Sequence, residues 1–278
     1  TGAFALHLIF YKIFGVSSFI FLEFLFIFLF IIIFYKISRI LEFDRVKSLT
    51  IAVVLFNIPI LLQLLNLNDI QYFQVIFSNF YSLRFPRPMI SNMFFFFFIL
   101  FLLKVNKNEI LNKKNCLIFG SISGFTFTSF YHFFILEQLF IAYALLYTFR
   151  FDIFNQFKKN FNHILLYIVS FLIISSPTLI NMFFSEIDFL ERQGFTTLDL
   201  NQKTFLLKYL FFKLFKTQFL LIFFTTSSIF FFINFNKNFD KFKIINPFFI
   251  LFYLSIISPF IFISISPTYF SMGHLFNN

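Results

Sequence analysis

The sequence predicts an all-α fold: a polytopic transmembrane helical bundle of about eight spans, with one further amphipathic helix lying in the membrane interface. Three observations lead there. Hydrophobic residues fill 59% of the 278 positions and charged residues only 12%, where a soluble domain carries about a quarter charged. The mean hydropathy is +0.87, and several apolar runs approach or exceed the roughly 18 residues that mark a bilayer-crossing helix. Basic residues, finally, gather in every second linker between those runs, as cytoplasmic loops require.

The first apolar run extends from Leu8 to Tyr35 and the second from Leu49 to Leu67. Met89 to Leu103, Cys116 to Phe130 and Phe133 to Phe149 come next. Ile164 to Ile180, Gln218 to Phe235 and Pro247 to Ile265 complete the set. The fourth and fifth are short and read as a tight helical hairpin or a re-entrant pair. Lys36, Arg39, Arg45 and Lys47 follow the first run, and Lys104, Lys107, Lys113 and Lys114 the third. Arg150, Lys158 and Lys159 follow the fifth, and Lys237, Lys241 and Lys243 the seventh. These alternate linkers hold most of the 22 basic residues, which puts them in the cytoplasm and both ends of the chain outside it. The formal charge of +10 is thereby assigned to loops beside membrane lipids, and no nucleic acid is implied as a partner.

Phe occurs 59 times and Trp not at all. Phe inserts into membranes comparably to Leu, so the "FFFFF" run reads as lipid-facing or packing bulk and not as an aromatic binding box. Cys116 is the sole cysteine, which excludes a disulfide framework within the chain and reads as a buried, inert thiol. No basic n-region with a small-residue cleavage site marks a signal peptide. The chain opens at Thr1 and stops at "GHLFNN", so it reads as a fragment of a longer protein. No internal repeat or Gly/Ser-rich linker divides it, and residues 1–278 are expected to form a single integral membrane domain.

The linkers on the opposite side are polar in a different way. The longest, "NMFFSEIDFLERQGFTTLDLNQK", holds Glu186, Asp188, Glu191 and Asp199 and continues into "KTFLLKYLFFKLFK". There Lys203, Lys208, Lys213 and Lys216 recur among aromatic residues and Leu. That spacing fits the interfacial helix, its lysines snorkelling toward anionic headgroups.

Three groups of residues could carry chemistry. "RFPRP" puts Arg84 and Arg87 on the outer side, where the positive-inside rule disfavours them. Pro86 pushes Phe85 toward extended backbone, and Pro88 can begin the helix that follows. Guanidinium forks and helix amino termini both favour phosphate oxygens, so the pair reads either as a lipid-linked phosphate site or as two headgroup anchors. "SFYHFFILEQ" contains Tyr131, His132 and Glu137, with Gln138 beside them, a candidate polar cavity or else a polar hairpin tip packed against its neighbours. A carboxylate within a span costs about 2.5 to 3.5 kcal/mol on insertion scales, so Glu137 is expected to face a partner or a water-filled cavity. His132 and Glu137 are five residues apart, and a break at the apex would be needed to bring them together. Glu23, midway along the first run, is expected to pair with a polar group in the bundle. Glu186 and Asp188 form an E-x-D pattern that could ligate a divalent metal ion through oxygens, or serve as solvated loop residues. The histidines at 7, 132, 163 and 274 lack metal-ligand spacing, and no phosphate loop, zinc-protease motif or nucleophile elbow is found.

The stretch "HLIFYKIFGVSSFIFLEFLFIFLFIIIFYKISRIL" resembles the part of GT-C-class membrane glycosyltransferases that follows their first outer loop. "RFPRPMISNMFFFFFILFLL" and "GSISGFTFTSFYHFFILEQ" look like segments of polytopic proteins from bacterial surface-polysaccharide gene clusters. The likeness covers roughly the first half of the chain, through loose motifs. It implies a polyprenyl-phosphate-linked sugar donor, location in a bacterial inner membrane, and transfer outside the cytoplasm. In that class the catalytic acid usually lies in the first outer loop, which would precede Thr1, so no catalytic residue is carried over to this chain. The alternatives are a transporter or flippase for a lipid-linked glycan or small solute, and a structural subunit of a membrane complex.

Overall fold

The computed structural model describes residues 2–41, 43–64, 89–105, 109–129, 131–149, 152–184 and 199–216, with isolated positions between 220 and 260. Among the described residues every regular element is a helix, and there are nine. They are α1 (Gly2–Phe14), α2 (Ser17–Ile40), α3 (Arg45–Leu64), α4 (Met89–Lys104) and α5 (Lys113–Ser129), then α6 (Tyr131–Phe149), α7 (Ile153–Lys159), α8 (Phe161–Phe184) and α9 (Leu200–Leu214). The chain forms two compact units, Thr1–Leu64 with Tyr81–Asn181, and Leu65–Phe80 with Met182–Asn278.

The first six apolar runs lie on helices, while the last two fall largely outside the described residues. Fewer are clear spans than the eight expected. Among the described residues only α2 and α8 are long and apolar enough to cross a membrane, and the apolar parts of α4 and α6 are shorter. The reasons are local. Helix α4 has 16 residues, about 24 Å of helix against a bilayer core of roughly 30 Å. Helix α5 is diluted by Gly, Ser and Thr, and α6 is interrupted by Glu137 and Gln138.

The first run is also two helices and not one. Gly15 ends α1 with φ at +58°, a left-handed conformation that glycine adopts without steric cost. Its N–H donates to the Tyr11 carbonyl at 2.8 Å, closing the last turn. The chain then reverses enough for α1 to pack on the start of α2, with the His7 and Phe19 rings 4.0 Å apart and Phe14 and Phe21 5.5 Å apart.

Helix α2 buries Ser18, Leu22, Phe26, Phe30, Ile33, Phe34 and Ser38, a three-to-four-residue spacing that marks one helix face. That face meets α3 and α4. Phe34 and Phe96 approach at 4.9 Å between ring centres, and behind them Phe98 packs on Phe119 at 5.5 Å. The phenylalanine run thus serves both uses expected of it, for Phe96 and Phe98 are buried while Phe97 is exposed. On α2 the outward face carries Ile20, Phe21, Phe24 and Phe28. Glu23 lies on this exposed side, contrary to the expectation that it pairs within the bundle.

The four-residue turn into α3 is held by its own charges. Asp44 accepts the Lys47 N–H at 2.8 Å and pairs with the Lys47 ammonium at 3.2 Å. Arg39 Nη1 donates to the Phe43 carbonyl at 2.8 Å. The Lys47 backbone N–H, and then its side chain, hold the Asp44 carboxyl below its ordinary value.

Helix α5 is the innermost element of the first unit. Nine of its 17 residues are buried, among them Gly120, Ser123, Gly124 and Thr126. A Cβ at Gly120 would run into the Ser170 hydroxyl and the Tyr167 carbonyl, and one at Gly124 would stand 2.9 Å from Ile174 Cβ. The G-x-x-x-G spacing therefore lets α5 and α8 approach backbone to backbone. At the other end His163 Nδ1–H donates to the Leu111 carbonyl at 2.8 Å, fixing the start of α8 to the loop before α5. Within α8, Pro177 lacks the N–H that would reach the Ile173 carbonyl. The Ser176 hydroxyl donates to that carbonyl instead, at 2.8 Å. The apolar stretch of α2 is 33% buried and that of α8 only 6%.

In the second unit, a helix does form over the stretch expected to lie in the interface. Asp199 and Gln202 cap α9 reciprocally, the Gln202 N–H reaching Asp199 Oδ1 at 2.7 Å and the Asp199 N–H reaching Gln202 Oε1 at 3.1 Å. This is the capping-box arrangement.

Candidate functional site

The polar groups of the first unit converge where α5, α6 and α8 meet. Glu137, on α6, has no exposed surface. One carboxyl oxygen, Oε1, stands 2.8 Å from the Thr126 hydroxyl of α5, and Ser123 supplies a second hydroxyl beside the same carboxyl. The neighbouring Gln138 donates from Nε2 to Ser123 Oγ at 3.4 Å, and its Oε1 accepts the Tyr167 hydroxyl of α8 at 2.6 Å. Hydrogen bonds thus link Tyr167, Gln138 and Ser123 across α8, α6 and α5, with the Thr126–Glu137 pair beside them. Three helices are tied by these bonds.

Among the described residues Glu137 Oε2 has no hydrogen-bond partner, and neither has the Ser129 hydroxyl, one turn further along α5. Both residues are fully buried. Buried polar groups are nearly always paired, so the arrangement has unused capacity for a proton, a water or a small polar group. Thr126 adds a switchable element. Its single hydroxyl proton has two acceptors in reach, Glu137 Oε1 at 2.8 Å and the Ile122 carbonyl at 3.0 Å. An ionised Glu137 accepts the hydroxyl's hydrogen bond, whereas a Glu137 protonated on Oε1 donates to Thr126 Oγ1 and leaves the threonine hydroxyl to bond Ile122.

Depth follows from the hairpin. Thr126 is three residues before the end of α5, and Glu137 six residues after the start of α6, about 4.5 and 9 Å from the apex. The site lies in the half of the hairpin away from Lys113 and Lys114, which begin α5.

Of the residues singled out in the sequence, Glu137 and Gln138 are placed in this cluster. Tyr131 and His132 lie in the first turn of α6, and their side chains are outside the described residues. The helix is continuous from Tyr131 to Phe149, so no break brings His132 to Glu137; five residues in one helix leave them about 140° apart. Arg84, Arg87, Glu186 and Asp188 lie outside the described residues. Among the described residues no group of three or more His, Cys, Asp or Glu is placed to hold a metal ion. Thr126, Ser123 and Tyr167 were not anticipated. Their signal is Gly120 and Gly124 at four-residue spacing, which marks α5 as a close-packed helix whose hydroxyls must turn toward neighbours.

Comparison of the chain with protein-family models, with curated proteins and with solved structures finds no match in any of the three.

Proposed function

We propose that this is a polytopic protein of the bacterial inner membrane, acting as a GT-C-like glycosyltransferase on a polyprenyl-phosphate-linked sugar at the extracytoplasmic face. The membrane reading draws on α8, whose apolar stretch is only 6% buried and leaves Leu165, Ile168, Val169, Leu172, Ile173 and Ile180 exposed. A soluble protein would bury such a helix. In this reading the six apolar helical runs and the two near the C-terminus are the eight spans, and α9 lies in the interface. The functional reading is carried by one observation: the Glu137 cluster lies toward the hairpin apex, the side to which the charge pattern assigns Arg84 and Arg87. Those arginines would hold the lipid phosphate, and the cluster would stand deeper on the same side. Ionisable groups within a span are functional by default.

A second reading is translocation of a lipid-linked glycan or small solute, and the complete enclosure of Glu137 favours its small-solute form. A proton or small solute can reach such a carboxyl through a modest opening, whereas a lipid-linked sugar cannot. Reconstitution with a labelled polyprenyl-phosphate sugar separates the two. Transfer of label to an acceptor without exchange between leaflets supports the transferase; exchange without product supports translocation. Arg84→Lys/Arg87→Lys should weaken polyprenyl-phosphate binding at least about tenfold, or 1.4 kcal/mol, because lysine lacks the two-pronged donor set. Unchanged affinity would return both arginines to the anchor role.

A further inference from the structure

An open apolar groove of about 420 Å³ runs between α2 and α3. Phe28, Ile32, Val46 and Leu49 form its walls, and Tyr35 and Arg45 stand at the end nearest the connecting turn. From Phe28 to Tyr35 is two helical turns, about 10 Å, enough for a stretch of one acyl chain. Among the described residues the other charges at the turn are engaged: Asp44 pairs with Lys47, and Arg39 donates to the Phe43 carbonyl. Arg45, exposed in the first turn of α3, enters no ion pair or side-chain hydrogen bond with the described residues. A free phosphate would use Arg45 and ignore the groove, and an apolar solute would do the reverse. A phospholipid uses both. Lys36, Arg39, Arg45 and Lys47 mark this end as cytoplasmic by the positive-inside rule, and the cytoplasmic leaflet is where anionic lipids meet basic residues.

We propose that the α2–α3 groove binds one anionic phospholipid of the cytoplasmic leaflet, its acyl chain along Phe28, Ile32 and Leu49 and its phosphate on Arg45. This rests on the membrane reading above, but not on the transferase or transport readings. The test uses the full chain purified in detergent and native mass spectrometry with phosphatidylglycerol and phosphatidylcholine of identical acyl chains. The wild type should retain phosphatidylglycerol over phosphatidylcholine by about fivefold, the equivalent of roughly 1 kcal/mol for one basic residue at an anionic surface. Arg45→Gln should abolish the preference, Ile32→Trp should reduce retention of both lipids, and Lys158→Gln, which removes an equal charge from α7, should change nothing. A wild type without preference, or a preference that survives Arg45→Gln, overturns the proposal. Alkaline carbonate extraction tests the membrane reading separately. A chain released by carbonate overturns both, whereas a retained chain with no lipid preference overturns the groove alone.

Discussion

The Thr126 hydroxyl and the Glu137 carboxyl meet at 2.8 Å across a hairpin in which eleven residues separate them. Thr126→Val removes the hydroxyl and keeps the shape, taking away the hydrogen bond to Glu137 Oε1. Interhelical hydrogen bonds in membrane proteins contribute about 0.6 kcal/mol on average and up to about 1.7. Thr126→Val should therefore lower unfolding stability within that range, as read by denaturant titration in detergent micelles.

Glu137→Gln separates packing from proton chemistry. The amide oxygen still accepts from Thr126, so expression and membrane insertion should match the wild type. Activity in a complementation assay should fall, because the amide cannot take up or release a proton near neutrality. A fully active variant would leave Glu137 with a hydrogen-bonding role alone.

The two α5 glycines should not be equivalent. A methyl at Gly120 runs into the Tyr167 carbonyl and the Ser170 hydroxyl, while one at Gly124 stands 2.9 Å from Ile174 Cβ and 3.2 Å from the Phe171 carbonyl. Both clashes involve atoms held by the α8 backbone, so relief means moving the helix, and the closer contacts at Gly120 demand the larger shift. Gly120→Ala should cost about 1 to 3 kcal/mol as an overpacking change, and Gly124→Ala less. Thermal unfolding of the two single variants should show that order.

What the sequence revealed depended on which signal each element used. Helices α2 and α8 advertise themselves through continuous apolar residues, and α9 through lysines recurring among aromatic residues and Leu. The separation of α1 from α2 was not legible from hydropathy, because both flanks of Gly15 are equally apolar; only its backbone conformation reveals the break. Glu137 stood out because a carboxylate in an apolar run is costly. Its partners did not, since Ser and Thr are common in membrane helices and their direction depends on which neighbour α5 packs against. The outward position of Glu23 was misjudged for a related reason: the α2 sequence is apolar on every side, so the buried face is chosen by α3 and α4.

Asp44 offers a pH-dependent test outside the apolar segments. Its value in the folded protein is lowered, first by the Lys47 backbone N–H. The cap's contribution is therefore complete above the ordinary carboxylate value and is lost as pH falls through the lowered one. Hydrogen-exchange protection of the Lys47 amide, corrected for intrinsic exchange, should decline in acid for the wild type. It should stay flat with pH in Asp44→Asn, which accepts the same bond without titrating.

Sidedness is open to direct labelling. With Cys116→Ser as background, a cysteine at Lys113 should resist an impermeant thiol reagent in intact cells, and a cysteine at Thr197 should react. The reverse pattern would invert every loop assignment, moving the Glu137 cluster to the cytoplasmic half and the Arg45 groove to the outer leaflet.

The proline in α8 bears on membranes of unequal thickness. At 24 residues the helix is about 36 Å long, longer than the roughly 30 Å core it would cross. A helix with surplus length must tilt, bend or thicken the surrounding lipid. The Ile173 carbonyl is served by a serine side chain and not by the backbone rung that Pro177 removes. Bending there stretches a side-chain bond that can follow the motion, where elsewhere it would strain the backbone ladder. A thinner bilayer can thus be met by a swivel of the last two turns, while the lower part of α8 stays clasped to Gly120 and Gly124.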